Sequence, residues 1–219
     1  MSELTDQNEL AELVDPVSTV VLCHEMQRGV VGDLAKPGFQ TAVAVQESGI
    51  VPTMAELFAT VRRVGMQVVQ IAAAFRPSYI GSYRNAPILR GLMADSGYLM
   101  EGSPDVDPIP ELWDERDVVL QRFHGMTPFA GTELDWILKS LGAKTLVVTG
   151  VSLNRGVTGT VIEAVNYGYQ VVIPRDCVVG YPAGYGDQVL EHTLAALAWL
   201  TDAAALARVW SADQQSDHA

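Results

Sequence analysis

The sequence predicts a single three-layer α/β domain, with a central parallel sheet between two layers of helices. Short apolar runs alternate along the chain with longer amphipathic segments, a pattern typical of parallel sheets covered by helices. The first run, Thr19–His24, is almost continuously apolar, which indicates a strand buried on both faces. With 219 residues and no internal repeat, we expect one domain that spans residues 1–219.

The remaining elements follow from the same patterns. Further strands are expected at Gln67–Ala73, 118–121, 145–151 and Gln170–Pro174. Helices are expected at 52–64, 131–141, 155–167 and 189–200, with a last helical piece through Trp210. Pro52 suits the first turn of the first of these helices, and Gly65 and Gly168 suit the ends of the first and third.

Three segments lie outside this regular pattern. Residues 1–18 form an N-terminal arm, and residues 211–219 form a frayed tail. Residues 76–115 contain five prolines with aromatic and arginine residues between them, and so long a connection predicts a lid or binding loop. Ligands of open parallel sheets bind beyond the carboxyl ends of the strands. There the segments 24–28, 76–85, 122–129 and 151–156 are expected to converge.

Charge and composition exclude several classes of partner. The 14 basic and 26 acidic residues give a net charge of −12, which repels nucleic acid and anionic membranes. A hydrophobic content of 48% excludes a disordered chain. The acidic N-terminus is unlike a signal peptide, and no apolar run approaches the roughly 18 residues of a membrane span. We therefore expect a cytoplasmic protein that binds neither nucleic acid nor membrane.

Three stretches of the chain carry a family resemblance. They are VVLCHEMQRGVV at 20–31, PFAGTELDWIL at 128–138, and TGVSLNRGVTGTVIEAVNYGYQVVIPRDCV at 149–178. In order and spacing they resemble the isochorismatase-like hydrolase, or cysteine hydrolase, superfamily over about residues 19–200. The resemblance implies a Rossmann-like topology, a cis peptide between Val151 and Ser152, and a homo-oligomer, either a dimer or a tetramer.

The three catalytic positions of that superfamily are all changed in this sequence. Members use an Asp, a Lys and a Cys; here Glu25 stands at the Asp position and Gly156 at the Cys position. Phe123 stands at the spacing of the Lys, with Arg122 one residue earlier. Without a thiol at 156 no thioester can form there. Isochorismatases proper, which cleave a vinyl ether without a covalent nucleophile, also carry Gly, so Gly156 indicates either lost catalysis or acid-catalysed hydrolysis.

Glu25 and Arg122 are the catalytic candidates. Glu25 ends a buried strand and is expected to act as a general acid or base; the alternative is a structural carboxylate bound to a nearby Arg or to backbone amides. Arg122 is expected to be its fixed cation, because arginine stays protonated and cannot shuttle protons. The alternative for Arg122 is a salt bridge to one of the many acidic residues. The candidates for substrate binding are His24, Arg76, His124, Phe129, Ser152, Asn154, Arg155 and Gly156.

Within this last group Asn154 is a natural N-cap, and Arg155 adds positive charge to an anion pocket built of backbone amides. Cys23 shares strand parity with Glu25 and is preferred to Cys177 as a substitute nucleophile, although buried cysteines usually act as small hydrophobes. Two cysteines, Cys23 and Cys177, are too few for a disulfide scaffold or a four-thiolate zinc site.

No metal and no cofactor is expected. Some members of the superfamily bind metal through an Asp/His cluster after the second strand, whereas the sequence here reads AAFRPSYIGSYRN and offers no such ligand. A site built from His24, Glu25 and His124 is conceivable but not favoured.

Three hypotheses of function remain. The first is a hydrolase that acts on a small anionic metabolite by acid–base chemistry. The second is a non-catalytic protein that binds a small molecule in the same pocket, and the third is a structural subunit. A cavity at which Glu25 and Arg122 converge would favour the first, and a pocket filled by Phe123 and Met126 would favour the third. The sequence does not name the substrate.

Overall fold

The computed structural model describes residues 7–216, except for the side chains of residue 183 and of residues 213–216, and a six-stranded sheet forms its centre. The strands are β1 (Thr19–His24), β2 (Gln67–Ala73), β3 (Val118–Arg122), β4 (Thr145–Gly150), β5 (Gln170–Pro174) and β6 (Trp199–Thr201). Their spatial order is β3-β2-β1-β4-β5-β6, and every neighbouring pair is parallel. The predicted parallel sheet is confirmed, and β1, predicted to be buried on both faces, is an interior strand.

Helices cover both faces of the sheet. They are α1 (Gln7–Leu13), α2 (Gln40–Ser48), α3 (Ile50–Arg63), α4 (Pro87–Leu92), α5 (Leu134–Ser140), α6 (Thr158–Asn166), α7 (Ala183–His192) and α8 (Ala203–Ser216). The helices predicted at 52–64 and 131–141 correspond to α3 and α5. No helix in the part of the chain that the structure describes is long and apolar enough to cross a membrane.

Two hydrophobic cores lie on opposite faces of the sheet. Val21 and Cys23 of β1 belong to the core that contains residues of α1, α3 and α8. Val20 and Leu22 belong to the core that contains residues of α5, α6 and α7. Because side chains of a strand alternate between faces, this division accounts for the near-continuous apolar run of β1. The three-layer α/β/α prediction is confirmed.

The segment 189–200 is a correction to the sequence reading, which predicts one helix there. α7 ends at His192, a short 3-10 turn follows, and the chain then enters β6. β6 pairs with β5, and its buried residue Leu200 lies opposite Ile173 of β5. Pairing at the sheet edge therefore prevails over helical spacing, which is a weak predictor beside tertiary context.

Both chain ends are more regular than the sequence predicts. The N-terminal arm contains α1, whose Leu10 is buried, and α8 continues through the predicted tail as far as Ser216. Trp210 of α8 explains this order, because it is fully buried and donates a hydrogen bond from Nε1 to the Val14 carbonyl at 2.8 Å. The rest of both predictions, residues 1–6 and 217–219, lies outside the described residues.

The connection 76–115 returns to the sheet through Gln27. The Gln27 side chain donates to the carbonyls of Ala73 and Val106, both at 3.0 Å, and accepts from the Ala73 amide at 2.8 Å. Gln27 is 1% exposed, so these bonds are shielded from water. One buried amide thus ties the connection to the end of β2 and places it over the carboxyl edge of the sheet.

Candidate active site

A cavity of about 50 Å³ lies at the carboxyl ends of β1, β2, β3 and β4. Five of the predicted site residues line it: Glu25, Arg122, Ser152, Arg155 and Gly156. A larger open groove of about 740 Å³ lies beside α2 and is lined by none of the predicted site residues. The smaller cavity is therefore the candidate site.

Glu25 and Arg122 form a buried ion pair at this cavity. Glu25 directly follows β1 in the left-handed backbone region, with φ 51°, and Arg122 is the last residue of β3. The Arg122 guanidinium donates to a Glu25 carboxylate oxygen and also to the Gly125 carbonyl. The Glu25 side chain is 14% exposed, and the Arg122 side chain is 6% exposed. The two residues that the sequence selects as catalytic candidates therefore meet across two strands.

Burial lowers the pKa of Arg122 to about 10. At neutral pH the guanidinium is still protonated, so the positive charge beside Glu25 is permanent. A cation this close favours the ionised form of a carboxyl group. The pair therefore presents a carboxylate and a fixed cation to the cavity.

Gly156 leaves room for the imidazole of His24. A Cβ atom at position 156 would lie 2.3 Å from His24 Cε1, far inside ordinary contact distance. The ring cannot shift freely, because His24 Nδ1 lies 2.7 Å from the Val151 carbonyl oxygen. His24 is completely buried and does not line the cavity; it lies behind Gly156.

His24 is a neutral histidine. Burial lowers its pKa to about 3, and the charge of Arg122 acts in the same direction, against backbone hydrogen bonding at Val151 and Met126. Because a carbonyl oxygen can only accept, Nδ1 carries the proton. Nε2 is then the unprotonated nitrogen, and it lies near the Met126 backbone without a well-formed hydrogen bond.

The turn after β4 uses its polar groups internally. The bond between Val151 and Ser152 is cis, as predicted. The amides of Arg155 and Val157 both donate to the Ser152 carbonyl, at 3.0 and 3.2 Å. These two amides are therefore not available to an anion.

Asn154 is not the N-cap that the sequence predicts. The turn Leu153–Val157 is a π-helical turn whose N-cap position is Ser152, and no side chain caps it. The Asn154 amide instead donates to the Tyr181 carbonyl at 3.1 Å, and its oxygen accepts from the Ser152 hydroxyl at 2.7 Å. Asn154 therefore fixes the neighbouring loop and lies outside the cavity.

The other predicted binding residues also lie outside this cavity. Arg76 lies over the Phe123 ring, 3.6 Å from its centroid, and His124 Nδ1 accepts the Tyr83 amide at 3.2 Å. Phe129 is buried in the core that contains side chains of α5 and α6, where it stacks on Tyr167. Arg76 and His124 thus hold the connection 76–115 against the loop after β3 rather than facing a ligand.

Sequence reasoning did not identify most of the apolar lining. The additional lining residues are Val30, Phe39, Thr41, Ala73, Ile88, Leu92, Tyr98, Leu99, Met126 and Val151. Ile88, Leu92, Tyr98 and Leu99 fall in the connection 76–115, whose irregular composition already indicated a lid. Phe39 and Thr41 come from the start of α2, and no pattern in the sequence connects that segment with the sheet edge.

Neither cysteine is placed to act as a nucleophile. Cys23 and Cys177 are both completely buried, and neither lines the cavity. Burial raises the pKa of each thiol well above its usual range, which disfavours the reactive thiolate. Among the described residues no group of three or more His, Cys, Asp or Glu side chains is arranged to hold a metal ion.

A family model for the Isochorismatase domain matches residues 19–205, which include every strand and the whole cavity. The chain belongs to the isochorismatase family. This membership confirms the resemblance found in the sequence and agrees with the order of the six strands. No match was found among curated proteins.

Solved structures show the same fold. A cysteine hydrolase from Pseudomonas syringae pv. phaseolicola 1448A is 21% identical, with a TM-score of 0.76 over 91% of this chain and 95% of that one. An isochorismatase family protein from Desulfovibrio vulgaris subsp. vulgaris str. Hildenborough is 24% identical, with a TM-score of 0.74 over 89% and 98%. N-carbamoylsarcosine amidase from Thermoplasma acidophilum is 23% identical, with a TM-score of 0.65 over 85% and 96%.

Proposed function

We propose that this chain is a hydrolase that cleaves a small anionic metabolite by acid–base chemistry at Glu25, without a covalent cysteine intermediate. The observation that carries the proposal is the ion pair of Glu25 and Arg122 at the candidate cavity. A carboxylate at the edge of a parallel sheet, beside a permanent cation, is suited to move a proton in a site that excludes most water. The structural neighbours named as hydrolase and amidase support the reaction class.

Glu25 acts as a base in the first step. Held by the Arg122 guanidinium, its carboxylate takes a proton from a water molecule while the oxygen of that water attacks the scissile centre. The proton then passes from Glu25 to the leaving group, which restores the carboxylate. Arg122 stays protonated throughout, because an arginine cannot exchange protons near neutral pH. Its role is to hold Glu25 in position.

Steric exclusion by His24 supports a mechanism without a cysteine nucleophile. The cysteine hydrolases that the sequence resembles carry the nucleophilic thiol at the position of Gly156. In this chain the His24 ring occupies the space into which that side chain would extend. Neither cysteine present offers a replacement, since both are buried away from the cavity.

A second candidate function is non-catalytic binding of a small molecule. The observation that favours it is the size of the cavity, about 50 Å³. Ligand pockets usually measure ~300–1,000 Å³. A cavity this small has less room for a substrate together with an attacking water molecule than for one small bound ligand.

The discriminating experiment measures hydrolysis of a panel of small carboxylate-bearing amides, esters and vinyl ethers. Glu25→Gln preserves shape but cannot accept a proton, so the expected loss of turnover on any accepted substrate is ~10²–10⁴-fold. Glu101→Gln, an exposed glutamate of the connection 76–115, is the matched control and is expected to be unchanged. Thiol alkylation under native conditions is expected to leave activity intact.

Two outcomes would contradict the proposal. Full activity of Glu25→Gln on a substrate that the wild-type protein turns over would remove the acid–base role. Absence of turnover across the panel, with substrate-like molecules bound equally well by wild type and Glu25→Gln, would establish the binding function instead.

A further inference from the structure

We infer that the ligand of this cavity is a monocarboxylate with a short apolar body, and that the Arg155 guanidinium is the group that binds the carboxylate. The inference deepens the proposed function and rests on the same cavity. It follows from an account of which polar groups at the cavity are already used and which remain.

Arg122 is not available for a ligand anion. Its guanidinium donates to Glu25 and to the Gly125 carbonyl. Its Nε has no hydrogen-bond partner but is buried out of reach of solvent, and the whole side chain is 6% exposed. An anion that approached it would have to displace Glu25 or lie beside that carboxylate. Repulsion between two carboxylates in a buried site disfavours both arrangements.

Several donors of the turn after β4 are already used within the chain. The amides of Arg155 and Val157 are bonded to the Ser152 carbonyl. The Ser152 hydroxyl donates to Asn154. These three donors are therefore not free to bind an anion.

Arg155 is the cation that remains. Its side chain lines the cavity and is exposed at the rim, and among the described residues it forms no ion pair or hydrogen bond. Glu25 and Arg122 cancel each other in charge, so Arg155 leaves the cavity with one net positive charge, although the whole chain carries −12. Such a local excess selects a monoanion, and a guanidinium matches the two oxygens of a carboxylate.

The rest of the lining defines the body of the ligand. Apart from the charged side chains, the wall is mostly apolar and includes Ile88, Leu92 and Met126, with Thr41 as one hydroxyl among them. An apolar wall binds a hydrocarbon chain and penalises a second charge or an unpaired polar group. The wall therefore suits a short hydrocarbon body, with the carboxylate at Arg155 and the scissile bond of a substrate at Glu25.

The test is equilibrium binding by isothermal titration calorimetry, with acetate, propionate, butyrate and benzoate and the corresponding neutral amides as probes. We expect wild type to bind a short carboxylate at least ~10-fold more tightly than its amide, because a charge-assisted bond replaces a neutral one. Arg155→Met is expected to abolish this preference, and Arg155→Lys to retain part of it. Arg208→Met, which removes an exposed positive charge from α8, is expected to bind like wild type.

Several results would overturn the inference. These are an unchanged preference in Arg155→Met, equal affinity of wild type for acids and amides, tightest binding of benzoate, and absence of binding by all the probes. The outcome is independent of catalysis. If Arg155→Met loses carboxylate binding while Glu25→Gln keeps full turnover, the subsite stands and the acid–base proposal fails; the reverse pattern refutes the subsite alone.

Discussion

Placing a methyl group at Gly156 tests whether His24 holds the space at that position. In Gly156→Ala the new Cβ would lie 2.3 Å from His24 Cε1, more than 1 Å inside the ~3.5–4.0 Å of normal carbon contact. Relief requires His24 to move, and movement breaks its 2.7 Å hydrogen bond to the Val151 carbonyl. Overpacking costs ~1–3 kcal/mol and an unmade buried hydrogen bond costs a similar amount, so we expect a loss of about 3 kcal/mol in the free energy of unfolding.

The assay is urea unfolding monitored by tryptophan fluorescence, together with a thermal melt, in which a loss of this size lowers Tm by about 10 °C for a chain of this length. Gly91→Ala is the matched control, because a Cβ at Gly91 of α4 would meet no atom within 4 Å. It is expected to be neutral or stabilising by up to ~1 kcal/mol. In His24→Ala/Gly156→Ala the two changes are expected to compensate by about 2 kcal/mol relative to their sum. Wild-type stability of Gly156→Ala, or simple additivity in the double variant, would refute the steric argument.

Three further predictions follow from other parts of the molecule. His24 is neutral in the folded protein with a pKa of about 3, below its ordinary 6.5, so the unfolded chain binds more protons between these values; stability should fall by about 2 kcal/mol from pH 7 to pH 5, and a His24→Gln variant should lose this dependence. Asp117→Ala should cost about 3–5 kcal/mol in urea unfolding, because it leaves Arg62 partly buried without its partner; a loss below ~1 kcal/mol would contradict this reading. Light scattering should report a mass at least twice the 23.6 kDa of one chain. The reason is the exposed apolar surface of the connection 76–115, in which Ile80 is 70% exposed and Tyr83 66%. A monomer at micromolar concentration would count against assembly.

Most of the fold could be predicted because its signals are local. β1 and β4 are buried on both faces and therefore read as continuous apolar runs, and α3 begins and ends close to residues that suit helix ends. β6 could not be predicted in the same way. It has three residues, and its reason for being a strand is the edge of β5, which lies about thirty residues earlier in the chain.

The same contrast between local and long-range signals applies to the candidate site. Glu25 and Arg122 could be selected mainly because the family resemblance implies catalytic roles at or beside their positions. Each also directly follows a predicted strand, and parallel strands bring their carboxyl ends to one edge. His124 and Phe129 lie in the loop after β3, close to Arg122 in sequence. His124 nevertheless contacts the connection 76–115, and Phe129 is buried in the core with side chains of α5 and α6. Position after a strand thus identifies the edge of the sheet, but it does not fix the direction of a side chain several residues into a loop.

The relation between His24 and Gly156 shows what a residue-by-residue reading cannot detect. In sequence, Gly156 suggests either lost catalysis or altered chemistry, and His24 suggests a possible ligand contact. In the structure the two positions depend on each other, because the ring of one fills the space left by the absent side chain of the other. Introducing a cysteine at 156 alone would therefore place its Cβ against a ring held by a 2.7 Å hydrogen bond. Position 156 is thus coupled sterically to the end of β1, so the effect of a substitution at Gly156 depends on the residue at position 24.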